Sequence, residues 1–303
     1  MNRRLLESSV GDYERRHGFS PGRASASRIG RFIVRTWGRD DVIISRRRAR
    51  AVGFGVLRPV AFDSQIFGLP MARVDYVVAR PEDNRLRRAL LDDLLECAHD
   101  RKIAHVAFRM PSGDPELVQA AEARGFRLMT TFVGFSRTPS PGQADPAVRE
   151  ARRSDVGPVC AIAREVFSEK TRFHHDSTLS PDRSTEFYVE WTRKCLAGEG
   201  ADVTLVARDG GRVGGFITGR VLPESGPLLG VRLGTIDMFA VGRRFQGRGL
   251  GKMLLDRVLD WFWRQRVGTA QVGTEGFNFP ALGLYTSAGF RITRSALTFH
   301  RRL

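Results

Sequence analysis

Apolar positions in this chain follow two rhythms that alternate along its length. From Gly234 to Val241 the run is mostly apolar, with Ile236, Met238, Phe239, Ala240 and Val241, which predicts a strand. Leu250, Leu254, Leu255, Val258, Leu259 and Phe262 then recur at helical spacing and predict an amphipathic helix. Ala270–Thr274 reads as another strand, and Pro280 fits the first turn of a helix near Asn278, which Gly289 ends. Ser154 is expected to cap a helix through Phe167, with Val159, Ile162 and Val166 inward. Thr204–Ala207 and Val213–Val221 predict a hairpin about Asp209-Gly210-Gly211, and Ala147–Glu150 a strand. Helices alternating with strands predict an α/β layer arrangement.

The pattern occurs twice. Val106–Arg137 aligns with Ala270–Arg301 at an offset of 164 residues without a gap. Gly125-Phe126-Arg127 then falls on Gly289-Phe290-Arg291, and Phe135 with Arg137 on Phe299 with Arg301. Upstream, Leu86, Leu90, Leu91, Leu94, Leu95 and Ala98 form an amphipathic helix parallel to the one beginning at Leu250. The two halves are therefore read as copies of one fold.

Between the strand ending at Val241 and the helix at Leu250 lies Gln246-Gly247-Arg248-Gly249-Leu250-Gly251. Glycines at such a junction let backbone approach a ligand and aim unpaired N–H groups and the helix dipole at it, which makes an anion cradle. A Walker loop is excluded by Gln246 and Met253, and a dinucleotide fingerprint by the spacing of Gly249 and Gly251. Together with Asn278, Ala281, Tyr285, Gly289 and Phe290, this loop resembles the GNAT superfamily of acyl-CoA N-acyltransferases. That family's loop reads Gln/Arg-x-x-Gly-x-Gly/Ala, matched by Gln246, Gly249 and Gly251.

The resemblance implies two tandem GNAT-like domains, each a mixed, centrally splayed sheet flanked by helices, with the N-terminal one degenerate. It also implies acetyl-CoA as co-substrate and no metal. Phe239, Ala240 and Val241 would pair with the pantetheine arm, and N–H groups from Gln246 through Gly247, Arg248, Gly249, Leu250 and Gly251 to Lys252 would hold the pyrophosphate. Asn278 and Ala281 complete the cofactor set. Tyr285 would protonate the leaving thiolate, since a Tyr near its ordinary pKa of about 10 stays protonated at neutral pH. For the base, Asp237 on the strand facing the cofactor and His174 or His175 acting through water are the candidates, and the sequence does not choose among them. In the first half Ala121 stands at the position of Tyr285, Asp114 at that of Asn278, and Glu82-Asp83-Asn84-Arg85-Leu86-Arg87 at that of the glycine loop. Carboxylates at that helix start repel a pyrophosphate.

Thr171-Arg172-Phe173-His174-His175-Asp176, followed by Tyr188-Val189-Glu190-Trp191, narrows the resemblance to the dTDP-fucosamine acetyltransferase-like branch, as does Phe62-Asp63-Ser64-Gln65-Ile66-Phe67-Gly68. Arg172, His174, Asp176 and Tyr188 are the expected acceptor-binding residues, offering donors and an acceptor for phosphate or hydroxyl groups. The implied reaction is N-acetylation of an amino sugar, such as a dTDP-4-amino-deoxysugar. Another amine (an aminoglycoside, a polyamine or a protein amino group) and a non-catalytic acyl-CoA-binding module are the alternatives.

Composition changes this picture little. At 303 residues the chain suits two domains. The expected division is a flexible basic tail over 1–28, a degenerate domain over 29–137, a linker over 138–146 and a catalytic domain over 147–303. The net charge is +16, and residues 1–50 hold thirteen Arg against five acidic residues, with Arg46-Arg47-Arg48-Ala49-Arg50 the densest run. No nucleic-acid motif accompanies that charge, so nucleic acid is not expected, and a small-molecule amine is the expected partner. No apolar run nears the roughly 20 residues of a membrane helix, and no secretory h-region is read at the start. Cys97, Cys160 and Cys195 are too scattered for a disulfide framework or zinc site, which suits a reducing cytoplasm. A homodimer stays open.

Overall fold

The computed structural model describes residues 3–19, 21, 24–38, 40–47, 50–79, 83–142 and 145–303. The elements are, in chain order, α1 (Arg3–Arg16), α2 (Ala26–Val34), β1 (Val42–Arg47), β2 (Arg50–Pro59), α3 (Ala61–Phe67), β3 (Met71–Ala79), α4 (Asn84–Asp100), β4 (His105–Pro111), α5 (Pro115–Glu122) and β5 (Arg127–Arg137). There follow β6 (Val148–Glu150), α6 (Val156–Val166), α7 (Pro181–Leu196), β7 (Val203–Asp209), β8 (Arg212–Leu222), α8 (Ser225–Leu229), β9 (Leu233–Ile236), β10 (Phe239–Val241), α9 (Leu250–Arg264), β11 (Thr269–Glu275), α10 (Phe279–Ser287) and β12 (Arg291–Arg302). They form two compact units, the first Met1–Phe132 with Arg294–Leu303, the second Val133–Thr293.

In the first unit β1–β2 and β2–β3 are antiparallel, and β3 runs parallel to β4 only over Met71–Val74. The end of β12 lies antiparallel to β4, from Ala296 opposite Pro111 to Arg302 opposite His105. In the second unit β6–β7, β7–β8 and β8–β9 are antiparallel, and β9 is parallel to β11 from Leu233 opposite Thr269 to Ile236 opposite Val272. Beyond that point β10 pairs with β8 alone. Each unit is thus a mixed sheet with helices, in which the parallel pair separates partway along.

The expected helix seams are the cores. Leu90, Leu91, Leu94 and Ala98 of α4 are fully buried among Val74, Val106 and Phe108, and Leu254, Leu255, Val258 and Phe262 of α9 among Ile217, Ala270 and Val272. Each such side chain contributes about 1.5–3 kcal/mol when buried. The copies also agree in detail. Asp114 Oδ1 accepts from Leu117 N at 3.2 Å to cap α5, and Asn278 Oδ1 accepts from Ala281 N at 3.4 Å to cap α10. After these helices Gly125 and Gly289 take φ 78° and 79°, the left-handed position glycine occupies without strain.

Four expectations change. The segment read as a mobile tail carries α1 and the start of α2, and Leu6, Val10 and Tyr13 pack with Phe54, Val56, Tyr76 and Val78. Charged residues crowd that stripe, with Glu7 and Glu14 themselves buried, so the segment looks polar in sequence. The boundary expected at Arg137 gives way to units in which Val133–Arg137 belongs to the second and Arg294–Leu303 to the first. The strand expected over Gly234–Val241 breaks at Asp237–Met238, where Met238 N donates to Thr218 Oγ1 at 2.9 Å and its carbonyl accepts from Thr218 N at 2.8 Å. Ser154 does not cap a helix. It lies in a short 3-10 turn, Arg153–Asp155, and the Asp155 carboxylate accepts from Arg152 N at 2.7 Å ahead of α6. Of the basic run, Arg48 and Ala49 lie outside the described residues, as do Glu82 and, in the linker, Gln143 and Ala144.

Candidate active site

The break between β9 and β10 decides where the site lies. Because β10 leaves β11 after Val272, a cleft opens between Phe239–Val241 on one side and Val272, Gly273 and Thr274 on the other. It is a cavity of about 450 Å³, closed by Val166 and Phe167 at the end of α6, by Gln246–Gly247 and Gly249–Gly251, and by Asn278, Pro280, Ala281, Leu284 and Tyr285. Segments as far apart in sequence as Val166 and Tyr285 thus line one space.

The glycine loop is shaped as an anion cradle. Gly247 and Gly249 take φ 74° and 81°, where an L side chain is strained. Gly249 is the N-cap of α9, whose first turn holds no acidic residue. Among the described residues, none accepts from the N–H groups of Gly247 to Lys252, so they and the helix dipole face outward together. Gly251 lies close to the next helix, since a Cβ there would stand 3.3 Å from Leu284 Cδ2. Gln246 braces the loop by donating from Nε2 to the Val241 carbonyl at 3.1 Å. Arg248 and Lys252 do not line the cavity. Arg248 is paired with Asp209 at 2.7 Å and Lys252 with Asp256, both on the surface.

The first unit shows why its copy differs. Asp83 Oδ1 accepts from Arg85 N at 2.9 Å and Leu86 N at 3.1 Å, so a carboxylate of the chain itself occupies the N–H groups that are open in the second unit. Behind it, Arg87 and Asp114 form a buried ion pair. The diverging part of β3 is covered by α1, where Tyr76 donates to buried Glu14 and stacks edge-on against Tyr13.

Tyr285 is 4% exposed and lies against Phe135, Phe239 and Phe290 at ring separations of 5.5, 6.3 and 5.9 Å. Burial pushes its hydroxyl well above the ordinary phenol range, so it stays a proton donor throughout the neutral range. Asp237, expected on a strand, sits in the break between strands and lines the cavity. Asp237 is exposed at the cleft, and the partial desolvation it meets there raises its carboxyl pKa, against the opposing pull of Arg220 and of the Thr235 hydroxyl at 3.5 Å. A carboxylate so raised is a better proton acceptor near neutrality.

The four expected acceptor residues do not line the cavity; Tyr188 backs one of its walls, and the others are held by neighbours in their own loop and in α7. Tyr188 stacks on Phe167 with ring centroids 5.0 Å apart, and Arg172 lies over Phe173 at 4.3 Å. Asp176 is buried and accepts from Thr178 N at 3.0 Å and Thr178 Oγ1 at 2.6 Å, tying off its own loop. His174 is held at both nitrogens, Nδ1 by Thr171 Oγ1 at 2.8 Å and Nε2 by Thr185 Oγ1 at 3.1 Å. The Thr185 hydroxyl donates to the Pro181 carbonyl at 3.2 Å, so it accepts from Nε2–H, and Nδ1 accepts from Thr171. Burial lowers the pKa of this ring, which favours its neutral form. His175 is exposed and meets Phe277, beside the cavity residue Asn278, at 5.4 Å. The sequence reading missed Phe167, Phe245 and Leu284 as wall residues, because apolar periodicity assigns such positions to the core, and Thr274 because it was read only as the end of a strand. Thr274 had a signal in Asn278, which donates to its hydroxyl at 2.9 Å.

Residues 164–290 match the Acetyltransferase (GNAT) family, and the chain carries a GNAT acetyltransferase domain with that family's mixed α/β fold. It is similar to the spore coat polysaccharide biosynthesis protein SpsD of Bacillus subtilis strain 168, with 32% identity over 146 residues, 48% of this chain and 47% of that protein. The match thus spans about half the length of SpsD. It is also similar to a dTDP-fucosamine acetyltransferase of Escherichia coli O6:H1, with 24% identity over 185 residues, 61% of this chain and 75% of that protein. Among solved structures, a GCN5-related N-acetyltransferase from Sphaerobacter thermophilus superposes with a TM-score of 0.68 at 15% identity, covering 99% of this chain and 92% of the other. A tandem GNAT protein from the clavulanic acid biosynthesis pathway does so with a TM-score of 0.55 at 16% identity, covering 99% and 94%. Acetyl-CoA is the co-substrate of this family. Among the described residues no helix is long and apolar enough to cross a membrane.

Proposed function

We propose that the second unit transfers an acetyl group from acetyl-CoA to the amino group of a nucleotide-linked amino sugar of the dTDP-4-amino-deoxysugar kind. The observation that carries the reading is the open N–H cradle of the glycine loop, whose Gly247, Gly249, Leu250 and Gly251 share one cavity with Asp237 and buried Tyr285. The cradle fits a diphosphate, because its donors have no internal acceptor and its glycines leave no Cβ in the way. Among the described residues the edge of Phe239–Val241 turned away from β8 has no strand partner, with only the Val241 carbonyl engaged by Gln246, and so can take an amide-bearing arm. Bound acetyl-CoA supplies a thioester carbon that an amine attacks directly. Asp237 takes the proton the amine gives up as the N–C bond forms, and Tyr285 delivers its own to the sulfur as the C–S bond breaks. The acceptor class is supported by the two sugar-related relatives and by Tyr188, which backs the wall residue Phe167 and follows the segment that carries Arg172, His174 and Asp176.

The test is thiol release from acetyl-CoA against a panel of dTDP-4-amino-sugars, aminoglycosides, polyamines and peptides. A preference for the nucleotide sugars is expected. Turnover confined to another amine class removes the sugar assignment. CoA binding without turnover on any member supports an acyl-CoA-binding module instead.

A further inference from the structure

The second unit holds another cavity, of about 770 Å³, whose walls carry five guanidinium groups, Arg149, Arg152, Arg208, Arg212 and Arg244, against two carboxylates, Asp155 and Glu165. The carboxylates are already engaged. Asp155 accepts from Arg149 at 2.6 and 3.0 Å and from Arg152 N at 2.7 Å. Glu165 accepts from Arg243 N at 3.3 Å. Arg208 donates to the Gly211 carbonyl. Among the described residues no carboxylate pairs with Arg152, Arg208, Arg212 or Arg244. Arginines without a carboxylate partner around a concave space suit phosphate oxygens, which the planar fork engages in pairs.

Position selects the phosphate. Phe245 is a wall of both cavities. Arg244 precedes Gly247 of the cradle by three residues, which limits their Cα separation to about 11 Å. Asp237 lies at the other end of β10, six extended residues or about 20 Å from Arg243. An acceptor with its amine at Asp237 therefore keeps its own phosphates away from this cavity. In CoA the diphosphate leads to a ribose that bears a 3′-phosphate, one sugar further on. We propose that the arginine cavity is the subsite for that 3′-phosphate, so that the nucleotide end of the donor is held beside the cradle. This rests on the donor reading given above.

The test compares CoA with 3′-dephospho-CoA by calorimetry at low salt, on the whole chain and on Arg212→Ala/Arg244→Ala. Charge-assisted hydrogen bonds to one phosphate predict a preference of about tenfold or more for CoA in the wild type. The double variant should lose that preference while binding 3′-dephospho-CoA as before, and unchanged circular dichroism shows that it still folds. Equal wild-type affinity for the two, or a preference that survives in the variant, overturns the subsite and leaves the donor reading standing. Wild type that binds neither removes the donor reading and the subsite with it. Thymidine diphosphate affinity that falls in the variant while CoA affinity does not overturns it in favour of the acceptor's phosphate.

Discussion

Tyr285 and Asp237 divide the expected chemistry by environment. Rings on three sides keep the Tyr285 hydroxyl protonated, and the cleft walls raise the Asp237 carboxyl. Tyr285→Phe keeps the ring contacts and removes only the hydroxyl, so turnover should fall by about 10²–10⁴ while CoA affinity by calorimetry stays near wild type. Turnover within threefold of wild type takes Tyr285 out of the reaction. If Asp237 is the base, kcat/KM rises with pH as that carboxyl ionises, through a limb above the ordinary Asp value of about 3.9. Asp237→Asn should abolish the limb, whereas His174→Gln should leave it in place, since both nitrogens of His174 are held by threonine hydroxyls. A limb that disappears with His174 reverses the assignment. Tyr285 was legible from its motif. Its surroundings were not, because Phe135 reaches it from a strand 150 residues earlier.

At the level of elements, the glycine loop and its acidic counterpart show how one helix start yields a binding site or a closed cap. In the second unit Gly249 caps α9 with its backbone in the left-handed region, and the N–H groups beyond it stay open. Ala at that φ costs about 1–2 kcal/mol, so Gly249→Ala should lower stability by that amount in urea titration and weaken CoA binding. Unchanged affinity for CoA would show that the cradle does not hold the diphosphate. In the first unit Asp83 satisfies two of the equivalent donors, and Asp83→Ala should cost about 0.5–2 kcal/mol by the same titration. The sequence showed the acid but suggested only repulsion of a ligand; capping by the side chain is the stronger reason that cradle is closed. Helix seams and glycine turns were readable because they depend on neighbours three or four positions away. The strand break at Asp237 was not, because it depends on Thr218 of β8, and no local pattern records that pairing.

For the whole molecule, the repeat foretold two units but not which strands each would contain. Short-range patterning marks a strand and is silent on its neighbour, so a boundary drawn where Pro and Gly cluster at 138–146 assigns β5 and β12 to the halves in which they are encoded. Phe299, in the last strand, is instead fully buried in the first unit's core with Val106, Phe108 and Phe126, while Phe135 belongs to the second unit's core with Tyr285. Phe299→Ala should therefore destabilise the first unit, by about 3–5 kcal/mol as for other large-to-small core changes. Unfolding followed by hydrogen exchange should show the loss of protection in β3, β4 and α4. CoA should still bind the variant at temperatures where it is folded, because no residue of the second unit's cavity has been altered. Loss of protection concentrated in α9 and β11 would mean that β12 supports the unit in which it is encoded, and that the exchange of strand ends does not exist in solution.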